Sequence, residues 1–200
     1  LPEPKNYNQV LLDILSHENM ASREPIFEQY DKQVQGRIHT ETGLADSGVM
    51  APFNSEKYPE EIRNVGIALS TDHNPRYGLI DPYWGGINAV VESMRNVASV
   101  GATPHALSDC LCFGNPEKPH QMWEFVESVR GVADACNAIT LKDNPNHATP
   151  IIAGNVSFYN ESKGGAIPPS PILSCLGRFK DVNKAVPAYF QKLDSVVLMI

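Results

Sequence analysis

Residues 81–119 read DPYWGGINAVVESMRNVASVGATPHALSDCLCFGNPEKP, and this stretch decides the class of fold. It predicts a helix that opens at the pair Gly85-Gly86 and stops at Gly101, a glycine suited to a helix end. Its apolar positions recur at helical spacing: Ala89, Val90, Met94 and Val97. An apolar strand is predicted next, over residues 106–113. A long helix followed directly by such a strand is typical of a layered α/β domain.

The flanking sequence extends this layer in both directions. A second long helix is predicted over residues 119–138, and further strands over residues 65–70, 150–158 and 171–179. We therefore expect an α/β (α+β) fold with a mixed sheet of about four strands and two long helices on one face. The strands look apolar on both faces, so the other face needs a cover from outside this chain.

Three segments divide the chain. Residues 1–63 read as a helical linker, with a helix over residues 7–17 and a short one at Ser22 to Tyr30, and then a long loop from Thr40 to Arg63. Residues 64–180 form the α/β domain. Residues 181–200 begin with a short helical turn near Asp181 and end in a strand-like apolar run, which predicts the start of a further, truncated domain. The chain begins with Leu1, so we expect it to come from a longer protein.

Composition limits the function classes. A net charge of −7 and a pI near 5.3 argue against nucleic-acid binding, which needs a basic face. The sequence contains no apolar run long enough for a membrane span and no signal peptide, so we expect a cytoplasmic protein. The four cysteines lack a disulfide pattern and are expected to be reduced. A zinc site is conceivable at the C-x-C pair Cys110/Cys112, but the sequence offers no further close ligands.

Polar residues interrupt two of the predicted strands. Asp109 lies inside an apolar strand, where a carboxylate needs a partner. That partner is either a structural ion pair or cap, or a nucleotide or Mg²⁺, and the pattern leaves these two even. Asn155 and Ser157 share one face of another strand behind Gly154, which permits close approach of a ligand or of backbone. Asn and Ser at a strand end are also ordinary turn residues.

Two further features have a structural interpretation and a functional one. The pair Gly85-Gly86 at a helix start could admit an anion to backbone N–H groups, although a tight turn is the more common reason. Glu92 and Asn96 stand four residues apart on the same helix and could supply oxygen ligands to Mg²⁺. On spacing alone a solvated pair is favoured.

Four quoted segments together resemble one family. They are the run over residues 81–119, the helix beginning Met122-Trp123, GNVSFYNES at residues 154–162 and AIPPSPI at residues 166–172. They are similar to the second half of formylglycinamide ribonucleotide amidotransferase (phosphoribosylformylglycinamidine synthase), over about residues 26–200. DCLCFGNPEKP and GNVSFYNES are long and unusual. The pattern Asn-x₄-Gly-Ala-x-Pro, at Asn96 to Pro104, is shared with wider relatives such as aminoimidazole ribonucleotide synthetase.

The resemblance implies an ATP-dependent ligase of purine biosynthesis. Such enzymes convert formylglycinamide ribonucleotide, ATP and glutamine-derived ammonia to the amidine, ADP and phosphate. Carried over by motif, Asp109 and Gly154 would bind ATP, Asn155 would be a Mg²⁺ ligand and Ser157 would contact the ribonucleotide substrate. An auxiliary structural nucleotide with Mg²⁺ is implied at three further residues: Asp31, Glu92 and Asn96.

Some family parts are missing from this chain. The catalytic histidine lies in a His-Asn-His-Pro segment of the family's first half, so no catalytic residue is assigned here, and His73-Asn74-Pro75 looks like a remnant. The family's two halves pair into a pseudo-dimeric barrel, and ammonia comes from a glutaminase subunit or domain. The implied partners are therefore the first half and a glutaminase, with a homodimer expected for the isolated fragment.

Alternatives remain open. The chain could be a non-catalytic scaffold half that holds a structural nucleotide. It could also be another ATP-using member of the same superfamily, although those relatives lack the FGNPEKP segment at residues 113–119.

Overall fold

The computed structural model describes residues 3–30, 32–41 and 43–198. The chain divides into two compact units, Leu1–Gly36 and Arg37–Ile200. The first unit contains helices α1 (Tyr7–Ser16) and α2 (Glu24–Phe27) and the 3₁₀ turns Glu18–Met20 and Val34–Gly36. Helix α1 begins at Tyr7 because the side chain of the preceding Asn6 accepts hydrogen bonds from the backbone N–H groups of Asn8 and Gln9, which the first turn of a helix otherwise leaves unpaired.

The second unit is built on a six-stranded sheet with strand order β1-β2-β3-β10-β4-β7. Only β4 and β7 run parallel, whereas the other neighbours are antiparallel. The sheet strands are β1 (Ile38–Thr40), β2 (Gly48–Met50), β3 (Gly66–Asp72), β4 (Thr103–Cys112), β7 (Ile151–Ser157) and β10 (Ser170–Phe179). Two small hairpins accompany it: β5 (Thr140–Leu141) with β6 (Asn144–Ala148), and β8 (Glu161–Ser162) with β9 (Gly165–Ala166).

Helices α5 and α6 lie over this sheet. The helices of the unit are α3 (Glu60–Arg63), α4 (Pro75–Ile80), α5 (Pro82–Ser99) and α6 (Pro119–Ala138), and a 3₁₀ turn covers Val182–Lys184. Helix α5 begins at Pro82 because the Asp81 carboxylate accepts from the backbone of Tyr83 and Trp84. The apolar stripe predicted for α5 is confirmed as buried: Ala89, Val90, Met94 and Val97.

The Gly85-Gly86 pair serves helix packing, so the anion and tight-turn interpretations are both wrong. The pair lies within α5, three residues past its start. A Cβ on Gly86 would come within 2.4 Å of the Ser128 carbonyl oxygen on α6. A Cβ on Gly131 would come within 2.0 Å of the Tyr83 carbonyl oxygen. Glycines at both positions therefore let the two helix backbones approach closely.

The two faces of the sheet differ in chemistry. Alternate residues of β10 face the helices and are buried, among them Leu173, Cys175 and Phe179. The opposite face is open, and it is not uniformly apolar as the sequence suggested. Thr71 and Ser174 share a hydrogen bond of 2.8 Å across it. These hydroxyls lie in register with Ser108, so a row of hydroxyl groups crosses this face.

The fold class is confirmed, with differences in detail. The sheet has six strands rather than four because β1 and β2 add to its edge. The segment predicted as a loop from Thr40 to Arg63 contains β2 and α3. Strands of three residues are too short to show a two-residue period. No strand occurs over residues 185–198, and residues 199–200 of the predicted final strand lie outside the described part. The domain limits at residues 63 and 180 stay a prediction.

Within the described ranges, no helix is both long enough and apolar enough to cross a membrane.

Candidate functional site

The polar residues singled out from sequence meet on the parallel pair β4 and β7. Asp109 stands opposite Gly154, Cys110 opposite Asn155, and Cys112 opposite Ser157. Strand β7 forms the edge of the sheet, and six of its seven residues are exposed. Ligands of α/β sheets commonly bind outside the carboxyl ends of parallel strands. The end of this pair is therefore the candidate site.

The Asp109 carboxylate lies over Gly154. A Cβ on Gly154 would be 2.1 Å from Asp109 Oδ1, so any larger residue would displace the carboxylate. Burial raises the pKa of Asp109 above its ordinary value, and a hydrogen bond from the Asn155 backbone N–H opposes that rise. The carboxylate is thus partly dehydrated and held by one backbone donor, a state in which a nearby cation would stabilise it.

The predicted residues do not form a single side-chain cluster. Successive side chains of a strand point to opposite faces, so Asp109 and Gly154 lie on the helix side of the sheet. Asn155 and Ser157 lie on the open side, in register with Cys110 and Cys112. The backbone N–H of Asn155 links the two sides.

The two unusual motifs fold against each other at the end of the pair. The Phe113 N–H donates to the Ser157 carbonyl at 2.9 Å, and the Tyr159 N–H donates to the Gly114 carbonyl at 2.9 Å. Tyr159 has a φ of 61°, a left-handed conformation that only surrounding contacts maintain in a residue of this size. The Lys118 ammonium lies 2.7 Å from Glu161, which ties the far ends of the motifs together.

Asn160 positions Ser157, a role that the sequence reasoning missed. Its Nδ2 group donates to the Ser157 carbonyl at 2.9 Å and to the Phe113 carbonyl at 3.0 Å. It also lies 3.1 Å from Ser157 Oγ. The sequence contained a signal for this role, because Asn160 belongs to the unusual motif GNVSFYNES at residues 154–162. Its partners are set by tertiary contact, however, and the sequence alone does not show them.

The proposed auxiliary residues lie elsewhere, on α5. Glu92 and Asn96 line a polar cleft of about 270 Å³ together with Asn74 and Arg95. Asn96 Nδ2 donates to Asp72 Oδ1 at 2.9 Å. This bond uses the amide nitrogen and not the carbonyl oxygen that would coordinate a metal. Asp31, the third predicted residue, lies outside the described residues.

His73 occupies an unusual environment. Neither ring nitrogen has a hydrogen-bond partner within the described chain, and both are shielded from solvent. Burial lowers the pKa of His73, so its neutral form is favoured. Nothing in these contacts places it against Asp109 or Ser157.

The cysteines are free. Burial is the main reason that the pKa of Cys175 rises to about 12, and the nearby Asp72 charge adds to the rise. Burial also raises the pKa of Cys136, next to Asp109, and that of Cys112, next to Cys110. Across the described residues, His, Cys, Asp and Glu form no group of three or more that could hold a metal.

The fold and site define an α/β domain with one sheet face open and polar groups at the end of a parallel strand pair. Residues 46–179 match the family model described as AIR synthase related protein, N-terminal domain. The chain belongs to this family.

Curated relatives confirm the resemblance carried by the motifs. The chain is 54% identical over 183 residues to phosphoribosylformylglycinamidine synthase subunit PurL of Methanothrix thermoacetophila, covering 92% of this chain and 23% of that protein. It is 39% identical to the PurL subunit of Moorella thermoacetica, covering 100% of this chain and 25% of that protein. The chain therefore spans about a quarter of the length of these relatives.

Solved structures agree with these relatives. Thermotoga maritima PurL complexed with ATP is similar with a TM-score of 0.64 and 27% identity, over 82% of this chain and 24% of that one. The same protein complexed with FGAR gives a TM-score of 0.57 and 25% identity, over 82% of this chain and 24% of that one.

Proposed function

We propose that this chain is part of phosphoribosylformylglycinamidine synthase, the ATP-dependent ligase that converts formylglycinamide ribonucleotide to the amidine in purine biosynthesis. The observation that carries the proposal is the 54% identity to a PurL subunit over 92% of the chain. The chain would act inside a longer cytoplasmic enzyme that supplies the catalytic histidine and the ammonia source.

We further propose separate roles for the four predicted site residues of the β4–β7 pair. Asp109, with the backbone of Gly154, would face ATP, Asn155 would provide an oxygen ligand to Mg²⁺, and Ser157 would contact the ribonucleotide. The partly dehydrated Asp109 carboxylate and the amide oxygen of Asn155 are hard oxygen donors, the type that Mg²⁺ prefers. When bound, Mg²⁺ would neutralise phosphate charge during phosphoryl transfer. Asn160 would keep the Ser157 hydroxyl in place.

A scaffold role has one observation in its favour. The cleft beside Glu92 and Asn96 is polar and separate from the β4–β7 pair. It suits an auxiliary nucleotide with Mg²⁺. The two sites can be separated by mutation because they share no residue.

The partners follow from the open sheet face. Leu69 is 52% exposed at its centre, and Ile151 on the edge strand is 40% exposed. A surface of this kind requires a cover. We propose that the first half of the same enzyme covers it, that a second copy does so in the isolated fragment, and that a glutaminase supplies ammonia. A structure of PurLQS from Thermotoga maritima is similar to this chain, with a TM-score of 0.64.

The test uses the complete synthetase that contains this chain. Asp109→Ala should lower kcat/KM for ATP by an amount equivalent to about 2–4 kcal/mol of transition-state stabilisation. Glu92→Gln should leave turnover nearer to wild type and weaken only the retention of an auxiliary nucleotide. Asp13→Ala, on the exposed helix α1, is the matched control for loss of a carboxylate.

Two results would contradict the assignment. One is unchanged kinetics in a soluble, folded Asp109→Ala enzyme, which would make Asp109 merely structural. The other is turnover of formylglycinamide ribonucleotide with ATP and ammonium by the 200-residue chain alone, since we expect this chain to lack the catalytic histidine.

A further inference from the structure

A basic cavity of about 260 Å³ lies at the end of the sheet where β4 begins and β10 ends, opposite the end that holds the candidate site. Four basic side chains line it: Lys142 from the β5–β6 turn, Arg178 from β10, Lys180 just after β10, and Lys184 from the last 3₁₀ turn. The chain as a whole has a net charge of −7, so this concentration of positive charge is a local feature. A cavity of this kind attracts an anion.

The positive charge is not neutralised within the cavity. Two carboxylates line it, those of Asp143 and Asp181. Arg178 Nη2 lies 3.5 Å from Asp143 Oδ2, in an ion pair whose side chains are each 49% exposed, so water weakens their attraction. Asp181 Oδ1 accepts hydrogen bonds from the backbone N–H and the side-chain amide of Asn183. The three lysines of the cavity form no ion pair with any described residue, so their charges remain available to a ligand.

Backbone contacts and one ion pair hold the elements that carry these cations. Arg178 is paired in register with Thr103, which also lines the cavity. The ion pair of Arg178 with Asp143 ties the hairpin turn to the end of β10. The Val186 N–H donates to the Val100 carbonyl at 3.0 Å, which holds the segment after the last 3₁₀ turn against the end of α5. These elements are therefore in place before a ligand binds, which lowers the cost of ordering them.

An apolar groove of about 270 Å³ adjoins the basic cavity. The two spaces adjoin because both are lined by Thr103 and Lys142. Apolar side chains from α5, β4 and the segment around β5 make up most of the groove, among them Met94, Ala98, Pro104, Ile139 and Leu141. A ligand that spans both spaces therefore meets cations at one end and hydrocarbon at the other.

We propose that the basic cavity and the apolar groove together bind one phosphomonoester that carries an apolar or aromatic group. A phosphomonoester has a charge of about −1.5 to −2 at neutral pH and three acceptor oxygens, which suits several converging cations better than a carboxylate does. Burial of the apolar group in the groove adds affinity in proportion to the area removed from water. Neither space is lined by Asp109, Asn155 or Glu92, so this ligand site is separate from both proposed nucleotide sites.

Isothermal titration calorimetry of the complete synthetase that contains this chain tests the inference, with phenyl phosphate as the probe. Phenyl phosphate should bind about tenfold more tightly than inorganic phosphate, because its ring enters the groove, and also more tightly than benzoate. Ala98→Gln fills the groove from an exposed position of α5 and should remove the advantage of phenyl phosphate over inorganic phosphate.

Loss of two cations provides the second arm of the test. Lys180→Gln/Lys184→Gln should weaken phenyl phosphate binding by at least about tenfold, the effect of losing charge-assisted hydrogen bonds. Lys57→Gln/Lys163→Gln removes the same charge from exposed positions outside the cavity and should bind as wild type does. Equal affinity of wild type and Lys180→Gln/Lys184→Gln would overturn the site, as would the absence of phenyl phosphate binding to folded wild-type enzyme.

Further measurements separate this site from the ATP site. Asp109→Ala should bind phenyl phosphate as wild type does, and Lys180→Gln/Lys184→Gln should keep the wild-type kcat/KM for ATP. Loss of probe binding in Asp109→Ala would place the probe in the ATP site and overturn the inference, whatever the effect of that variant on turnover. Benzoate binding as tight as that of phenyl phosphate would contradict the assignment to a phosphomonoester.

Discussion

The Asp109 carboxylate occupies the space that a side chain at position 154 would need, since a Cβ on Gly154 would lie 2.1 Å from Asp109 Oδ1. The two residues are direct neighbours across the parallel strands β4 and β7. A glycine and a carboxylate 45 residues apart in the sequence are thus a matched pair.

Gly154→Ala should destabilise the protein by about 1–3 kcal/mol through overpacking against Asp109. The double variant Asp109→Ala/Gly154→Ala should lose less than the sum of the single variants, because the clash is absent. Urea unfolding measures the free energy of unfolding of the single variants and of the double variant. Gly48→Ala is the control, since a Cβ there would meet only the Leu69 carbonyl oxygen, at 3.8 Å. Additive effects would show that the two positions are independent.

Asp109→Asn should change how stability depends on pH. Burial raises the pKa of Asp109 above 3.8, so the folded state binds its proton more tightly than the unfolded state does. Asp109 contributes its full stabilisation below pH 3.8, and this stabilisation is lost as the pH rises through the pKa of the folded state. As the pH rises from acid to neutral, the free energy of unfolding of Asp109→Asn should therefore increase relative to that of wild type. A pH curve for Asp109→Asn that runs parallel to that of wild type would contradict the prediction.

His73 should make the free energy of unfolding depend on pH in the opposite direction. Its pKa is lowered below 6.5 by burial, so the folded state binds this proton less tightly. His73 contributes its full stabilisation above pH 6.5, and this stabilisation is lost as the pH falls towards the pKa of the folded state. His73→Phe should flatten the unfolding free energy across this window. An unaltered slope in His73→Phe would refute the argument.

Gly86→Ala should destabilise the packing of α5 on α6. The added Cβ would lie 2.4 Å from the Ser128 carbonyl oxygen, and we expect a loss of about 1–3 kcal/mol. Alanine is the better helix former by about 1 kcal/mol, so any net loss understates the steric effect. Gly164→Ala, where the nearest atom is Ser162 Oγ at 3.6 Å, is the control for thermal unfolding. Equal stability of Gly86→Ala and wild type would favour a different role for the pair.

The isolated chain should form a two-fold dimer through its open sheet face, since an isologous contact closes on itself. Light scattering should give about twice the 22.0 kDa chain mass. Leu69→Lys would place a charge at the centre of that face and should yield monomers. Leu193→Lys, at a side chain 95% exposed outside the sheet, should leave the dimer intact. A wild-type monomer at micromolar concentration would defeat the idea.

Part of the candidate site was accessible from sequence. Asp109 stood out because a carboxylate in an apolar strand needs a partner, and Asn155 and Ser157 because they share a strand face. Their arrangement was not accessible. The structure places Asp109 and Asn155 on opposite faces, and it shows Asn160 as the group that holds Ser157. Such contacts depend on how two distant loops meet.

The sequence by itself determined the long helices and the central strands, because apolar periodicity and the proline at the first position of α6 act locally. Tertiary structure alone decided the strand order and register, the role of Gly86 and the edge position of β7. Register depends on hydrogen bonds and packing between residues far apart in the chain, such as Asp109 and Gly154. A local sequence pattern contains no information about which distant residues become neighbours.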